Sequence, residues 1–211
     1  MCFSAPASFA VSGVLVLIGT FTIQKIKTKS QIPFASIPLF FALQQFVEGL
    51  LWLALARGIT SDLIQAAAYI YLSFAFPFWP IWIPISLIFL EKNKLRRSFL
   101  ILTLFIGAAV AGYLIYCMAK FRVTPQILSH HIYYDVKVPQ ITKYDYVFYL
   151  IATILPFLIS SFRYMWVFGI LAAASLFITY LLYTKFLLSV WCFFAAALSV
   201  IIYFITIKKK N

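Results

Sequence analysis

The chain has 211 residues, of which 64% are hydrophobic and only 10% charged, with mean hydropathy +1.01; a soluble domain is nearer half apolar and a quarter charged. Repeated long apolar runs place it among polytopic membrane proteins and leave no room for a soluble second domain. The net charge of +12 does not signal a nucleic-acid partner, because the basic residues sit in short loops between apolar runs, where they orient helices in a membrane.

The first segment, MCFSAPASFAVSGVLVLIGTFTIQ, has no positive n-region, and its apolar run is too long for the core of a cleaved signal peptide. It reads as a retained span. With this one included, seven spans run in chain order, near residues 6–24, 32–56, 62–90, 97–118, 146–162, 166–184 and 188–206, each close to the ~20 residues a bilayer requires. The third carries Pro77, Pro80 and Pro84. Proline removes a helical donor and crowds the preceding turn, so a kink or break is expected there. No sequence echo relates spans one to three with five to seven.

The basic residues choose the orientation. With the N-terminus outside, the cytoplasmic loops hold Lys25, Lys27, Lys29, Lys92, Lys94, Arg96, Arg97, Arg163, Lys208, Lys209 and Lys210, eleven of the 17 Lys and Arg. The positive-inside rule therefore predicts N outside and C cytoplasmic. The fold expected is all-α: one seven-helix transmembrane domain over 1–211, with segment 119–145 between spans four and five folded over the outer mouth as a lid. The membrane expected is a bacterial inner membrane.

This orientation puts Cys2, Cys117, Cys192, His130 and His131 on the outer side. It also puts Glu48 about eight residues into span two, or ~12 Å deep at 1.5 Å per residue. A carboxylate inside a span costs about 3 kcal/mol unless it is paired or wet. Gln44, Glu48 and Trp52 share one helical face at four-residue spacing, with Gln45 one turn before Glu48. Ser4, Ser8 and Ser12 form a small polar stripe on span one. Tyr71, Tyr113, Tyr149 and Thr179 also fall in the outer half, while Ser86, Thr103 and Ser160 are examples from a sparser inner half. The asymmetry points to an outward-opening polar cavity with Glu48 at its floor. Tyrosine belts and serine-mediated helix packing are the structural alternative.

Four chemistries fit such a cavity. Thiol, imidazole and carboxylate suit zinc, and a thiolate-rich set suits copper(I), so Cys2, His130, Cys192 and Glu48 are the candidate metal ligands. No pair among them has the spacing of a metal motif. Thiol redox chemistry would want a Cys-x-x-Cys pair, which is absent. A membrane hydrolase or transferase would use Glu48 or His130 as its acid or base, without a Gly-x-Ser-x-Gly elbow to support it. A solute or proton-coupled transporter would use Glu48 as its ionisable group.

The blocks MCFSAPASF, PFASIPLFFALQQFVEGLLWL and SVWCFFAA resemble an uncharacterised family of small bacterial multi-span proteins. Its members open Met-Cys-Phe-Ser-Ala, carry a Gln-x-x-Glu-Gly span and end in a Trp-Cys-Phe-Phe span. The resemblance covers the whole chain and implies Cys2, Glu48, His130 and Cys192 as site residues, with no established activity. His131 stands where the family pattern has a small residue, which favours His130. The combined expectation is capture of a metal ion or small ligand, with Ser4, Ser8, Gln44, Gln45, Glu48, Trp52, Tyr134 and Trp191 lining the cavity. The partners expected are the bilayer and that ligand.

Overall fold

The computed structural model describes residues 4–59, 62–136 and 143–207. Helix α1 (Ala5–Gln24) begins where the sequence supplies a cap. Ser4 is extended, its side chain accepts from the Ala7 N–H at 3.4 Å, and Pro6 sits in the first turn. The turn after α1 is closed by Gln31, whose Oε1 accepts from the N–H groups of Lys27 and Thr28 at 2.7 and 3.1 Å. A single helical turn, α2 (Ile32–Ala35), leads into α3 (Ile37–Ala56), with Pro38 in its first turn. Helices α1 and α3 run antiparallel in close contact. Ser12 Oγ donates to the Ala42 carbonyl at 2.8 Å. Farther along, Gly49 accepts the ring of Phe9, which a Cβ there would approach to 2.8 Å.

The proline-rich third run does not break. Helix α4 (Asp62–Ser73) passes through a π turn (Phe74–Phe78) into α5 (Trp79–Leu90). In the π register the Ala75 carbonyl looks five residues ahead to Pro80, which has no N–H to give. Tyr149 donates its hydroxyl to that carbonyl at 2.6 Å. A side chain from another helix thus satisfies the group the prolines orphan, which is the condition for irregular backbone inside an apolar bundle.

Helix α6 (Lys94–Lys120) is capped by Asn93, whose side chain accepts from Arg96 N at 3.1 Å. It lies so close on α5 that a Cβ at Gly107 would sit 2.0 Å from the Pro80 carbonyl oxygen. Next comes a hairpin, β1 (Val123–Leu128) with β2 (His131–Val136), paired from Val123↔Val136 to Leu128↔His131. Its two turn residues, Ser129 and His130, both have positive φ, 46° and 61°, as a two-residue type I′ turn requires. The expected single span 146–162 is interrupted. Helix α7 (Lys143–Thr153) gives way to the short α8 (Leu155–Ile159), where Pro156 cannot continue the donor ladder. Helix α9 (Met165–Tyr183) reverses at Thr184–Phe186 into α10 (Leu187–Leu198), and α11 (Val200–Ile207) continues past Ser199.

The described residues are therefore all-α apart from one hairpin. Five helical stretches are long and apolar enough to cross a membrane: Ala5–Gln24, Lys29–Ala56, Asp62–Leu90, Lys94–Lys120 and Met165–Ile207. Large apolar side chains such as Leu17, Phe105, Phe177 and Leu182 point outward from the bundle. Inside, the buried residues form two apolar clusters. One, at the hairpin end, contains Val47, Leu51, Tyr71, Leu114 and Ile132; the other, at the far end, contains Phe41, Ala42, Leu87, Leu100 and Ile202. On α3 the seam between them falls at Gln44 and Gln45.

The far end is tied by Glu91, which ends α5. Its carboxylate accepts from the N–H of Ser161 at 2.7 Å, from Ser161 Oγ at 2.6 Å and from Asn93 N at 2.9 Å. Arg96 donates to the Ile159 carbonyl at 3.1 Å. Burial raises the Glu91 pKa, but the Ser161 and Asn93 hydrogen bonds and the Arg96 charge outweigh it, so the carboxyl lies below its ordinary 4.5.

Two outcomes are expected. Tyr149→Phe strands the Ala75 carbonyl and lowers stability by about 1–3 kcal/mol, read as the unfolding midpoint in bicelles. Because the folded pKa of Glu91 is depressed, its contribution is present above 4.5 and is lost as pH falls through the folded value. The unfolding temperature should drop on acidification below that point, and the drop should be smaller in Glu91→Gln.

Candidate functional site

Glu48 is fully buried on α3. The other acidic residues lie at helix ends or in the hairpin: Asp62, Glu91, Asp135 and Asp145. Both Glu48 carboxylate oxygens are engaged. Ser189 at the start of α10 donates its hydroxyl to Oε1, and Gln45 Nε2 donates to Oε2 at 3.2 Å. Ser189 and Cys192 stand three residues apart on one face of α10, so the helix that supplies the hydroxyl also brings a buried thiol beside the carboxyl. The side chains of Tyr71 and Gln44 flank that thiol.

Gln44 has a fixed orientation. Trp79 Nε1–H donates to its Oε1 at 3.0 Å, and an indole can only donate, so the amide nitrogen must face the other way. That Nε2 is fully buried and makes no conventional hydrogen bond; the same holds for Gln45 Oε1, the Ser8 hydroxyl and Trp52 Nε1. Ser8 lies one turn from Ser12 along α1, on the stripe that packs against α3. Buried polar atoms without partners cost about 1–3 kcal/mol each, and natural proteins keep few of them without a reason. Of these, Gln44 Nε2 and Gln45 Oε1 lie on the seam between the two apolar clusters.

The hairpin covers this seam from one end. Tyr134 on β2 stacks on Tyr71 of α4 with ring centroids 4.9 Å apart and planes within 4°. The Tyr71 hydroxyl lies 3.5 Å from the Leu188 carbonyl. Gln65 Nε2 donates to the Val123 carbonyl at 2.7 Å. His131 is buried, with Nδ1 2.7 Å from the Ser129 carbonyl and its ring stacked 4.5 Å from Phe186. It pins the hairpin to the turn between α9 and α10.

The sequence-predicted residues separate into groups. Gln44, Gln45, Glu48 and Cys192 come together in one cluster, with Tyr134 reaching it through Tyr71. Ser4 serves as the cap of α1. Trp191 packs edge-on against Tyr149 with centroids 6.0 Å apart. His130 is exposed at the hairpin turn. Among the described residues no three His, Cys, Asp or Glu side chains converge on a common point, so His130, Cys192 and Glu48 do not form a metal set. Cys2 lies outside the described residues. Residues that the sequence reading did not single out as site members are Ser189, Tyr71 and Trp79. Ser189 had a legible signal, its three-residue offset from Cys192; Tyr71 and Trp79 had none that distinguished them from an interfacial belt.

A family described as "Family of unknown function (DUF6629)" matches residues 1–211. The chain belongs to that family. No curated protein and no solved structure matches it. Family membership therefore leaves the function to the geometry of the cluster.

The cluster makes a direct prediction. Ser189→Ala removes a hydroxyl donor from a buried carboxyl and should destabilise the fold by about 1.5–3 kcal/mol, whereas Glu48→Gln, which keeps shape and polarity, should cost less. Thermal unfolding of both variants in one lipid mixture checks the order.

Proposed function

We propose that this protein is a seven-span protein of a bacterial inner membrane, N-terminus outside, that captures a small organic ligand at the Gln44–Glu48–Ser189–Cys192 cluster beneath the hairpin. The observation that carries the reading is the set of buried polar atoms without partners, Gln44 Nε2, Gln45 Oε1 and Ser8 Oγ, gathered around an intramembrane carboxyl. A bound molecule offering both donors and acceptors satisfies them.

Seven spans follow from lengths. The stretch Met165–Ile207 has 43 residues, about 64 Å of helix against a ~30 Å hydrocarbon core, and its chain reversal at Thr184–Phe186 makes it two passes. Helices α7 and α8 supply the remaining one. The basic-residue count supports N outside, and in that orientation the hairpin, within segment 119–145, faces outward as the lid.

Binding is favoured over transport by what lies deeper. Ser86 and Thr103, on the far side of Glu48 from the hairpin, donate to carbonyls three residues back on their own helices, at 2.8 Å in both cases, so neither offers an unpartnered hydroxyl. An organic ligand is favoured over a metal because the described donors do not converge.

Native mass spectrometry on protein released from its own membranes tests the reading. A bound organic mass is expected on the wild type and not on Gln44→Leu/Gln45→Leu, with elemental analysis run beside it. Identical spectra for the two proteins sink the proposal, and near-stoichiometric zinc or copper that disappears with Cys2→Ala replaces the organic ligand with a metal.

A further inference from the structure

The polar cluster and an apolar cavity share a wall. On the side of the cluster away from the hairpin, α5, α8, α9 and α10 leave a cavity of about 40 Å³, walled by Phe41, Trp79, Phe157, Phe168 and Trp191, with Ala172 and Ala195 contributing small side chains. Two residues face both regions. Trp79 gives its N–H to Gln44 and its ring to the cavity. Cys192 lies beside Gln44 and Tyr71 and also lines the cavity. The order along the bundle is thus hairpin, polar cluster, apolar cavity.

Size and polarity restrict what can span the two. An apolar cavity that admits benzene measures about 150 Å³, so a ring is too large for this one and the end of a linear chain fits. The buried Gln44 Nε2–H, fixed toward the cluster by Trp79, calls for an acceptor oxygen on the head. An anionic head is disfavoured, because it would stand beside the Glu48 carboxyl and two neighbouring acids cannot both ionise cheaply.

We infer that the captured ligand is a single-chain lipid with an uncharged, oxygen-bearing head. The head accepts from Gln44, and the chain end enters the cavity past Trp79 and Cys192. This rests on the reading of the cluster as a ligand site. It also gives the lipid the orientation of its leaflet, head toward the hairpin and chain toward the membrane middle.

The test uses the full chain in lipid nanodiscs and a monoacylglycerol with a diazirine at its chain terminus. After irradiation, cross-links should concentrate at Phe41 and in residues 79–83, 149–157, 168–172 and 191–195, which line the cavity. They should be lost on adding excess ordinary monoacylglycerol, and lost again in Ala172→Leu and in Ala195→Leu, which fill the cavity from two different helices. The matching probe with a carboxylate head should label these segments more weakly. Labelling spread over outward-facing positions such as Phe105 and Leu182, indifferent to competitor and to both variants, overturns the inference. If an organic mass still co-purifies with the wild type while labelling is spread in this way, the lipid identity fails and the site stands. If both signals are absent, the site fails too.

Discussion

A carboxyl group buried in an apolar bundle must be solvated by the protein itself, and much of this fold can be read as the answer to that requirement. Glu48 sits one turn beyond the seam between the two apolar clusters, flanked on α3 by Val47 and Leu51 of the hairpin-end cluster. Gln45 supplies one donor from the same helix, and Ser189 of α10, 141 positions from Glu48 in the chain, supplies another. The Ser189 hydrogen bond to this carboxyl therefore couples the second long helix to the last helical stretch of the chain. Around them, Gln44 is held by Trp79 of α5, and Tyr71 of α4 reaches the first turn of α10. Four helices meet at one polar layer. Glycine makes part of this approach possible, since Gly49 lets α1 lie against α3 one residue beyond Glu48.

The irregular backbone has a related logic. A π turn, a break at Pro156 and a step at Ser199 would be costly in a lipid-exposed helix, because each releases backbone groups from the regular ladder. At the π turn the released Ala75 carbonyl finds its partner within the bundle, in the Tyr149 hydroxyl. The same interruptions prevent α5, α8 and α10 from packing as uniform cylinders, and the aromatic cavity lies among them. The interruptions in the helices and the open volume beside Cys192 are two aspects of one packing arrangement. At the far end the Glu91–Ser161 connection closes the loops, so the two ends of the bundle are held by different chemistry: stacked aromatics and a hairpin at one, a charged hydrogen-bond network at the other.

Much of this was legible along the chain. Hydropathy alone locates the long apolar helices, since a 20-residue window of uniform character is a strong signal. The face shared by Gln44, Glu48 and Trp52 follows from helical spacing, and the cluster does form there. The break between the fourth and fifth apolar runs was legible as an interruption but its form was not: VTPQILSHHIYYDV folds as a hairpin whose turn relies on positive φ at Ser129 and His130, residues that carry no glycine signature. The preference for His130 over His131 as a site residue has no counterpart in the packing, where His131 is the buried one. Pro77 and Pro80 announced an irregularity without saying whether the helix would break, because the outcome depended on a tyrosine 74 residues away.

The sequence by itself determined that this is an all-α membrane-type chain with an acidic group inside its second apolar run, because composition and period are local properties that any window of the chain displays. Only the tertiary structure decided which polar groups would share that acid, that Ser189 and not a histidine would be its partner, that the thiol of Cys192 would lie between a polar layer and an apolar cavity, and that Gln44 would be turned with its amide nitrogen unpartnered. Those are contacts between residues more than a hundred positions apart or between crossing helices. Their register is set by how bulky rings and small glycines let the helices approach, which no local pattern encodes.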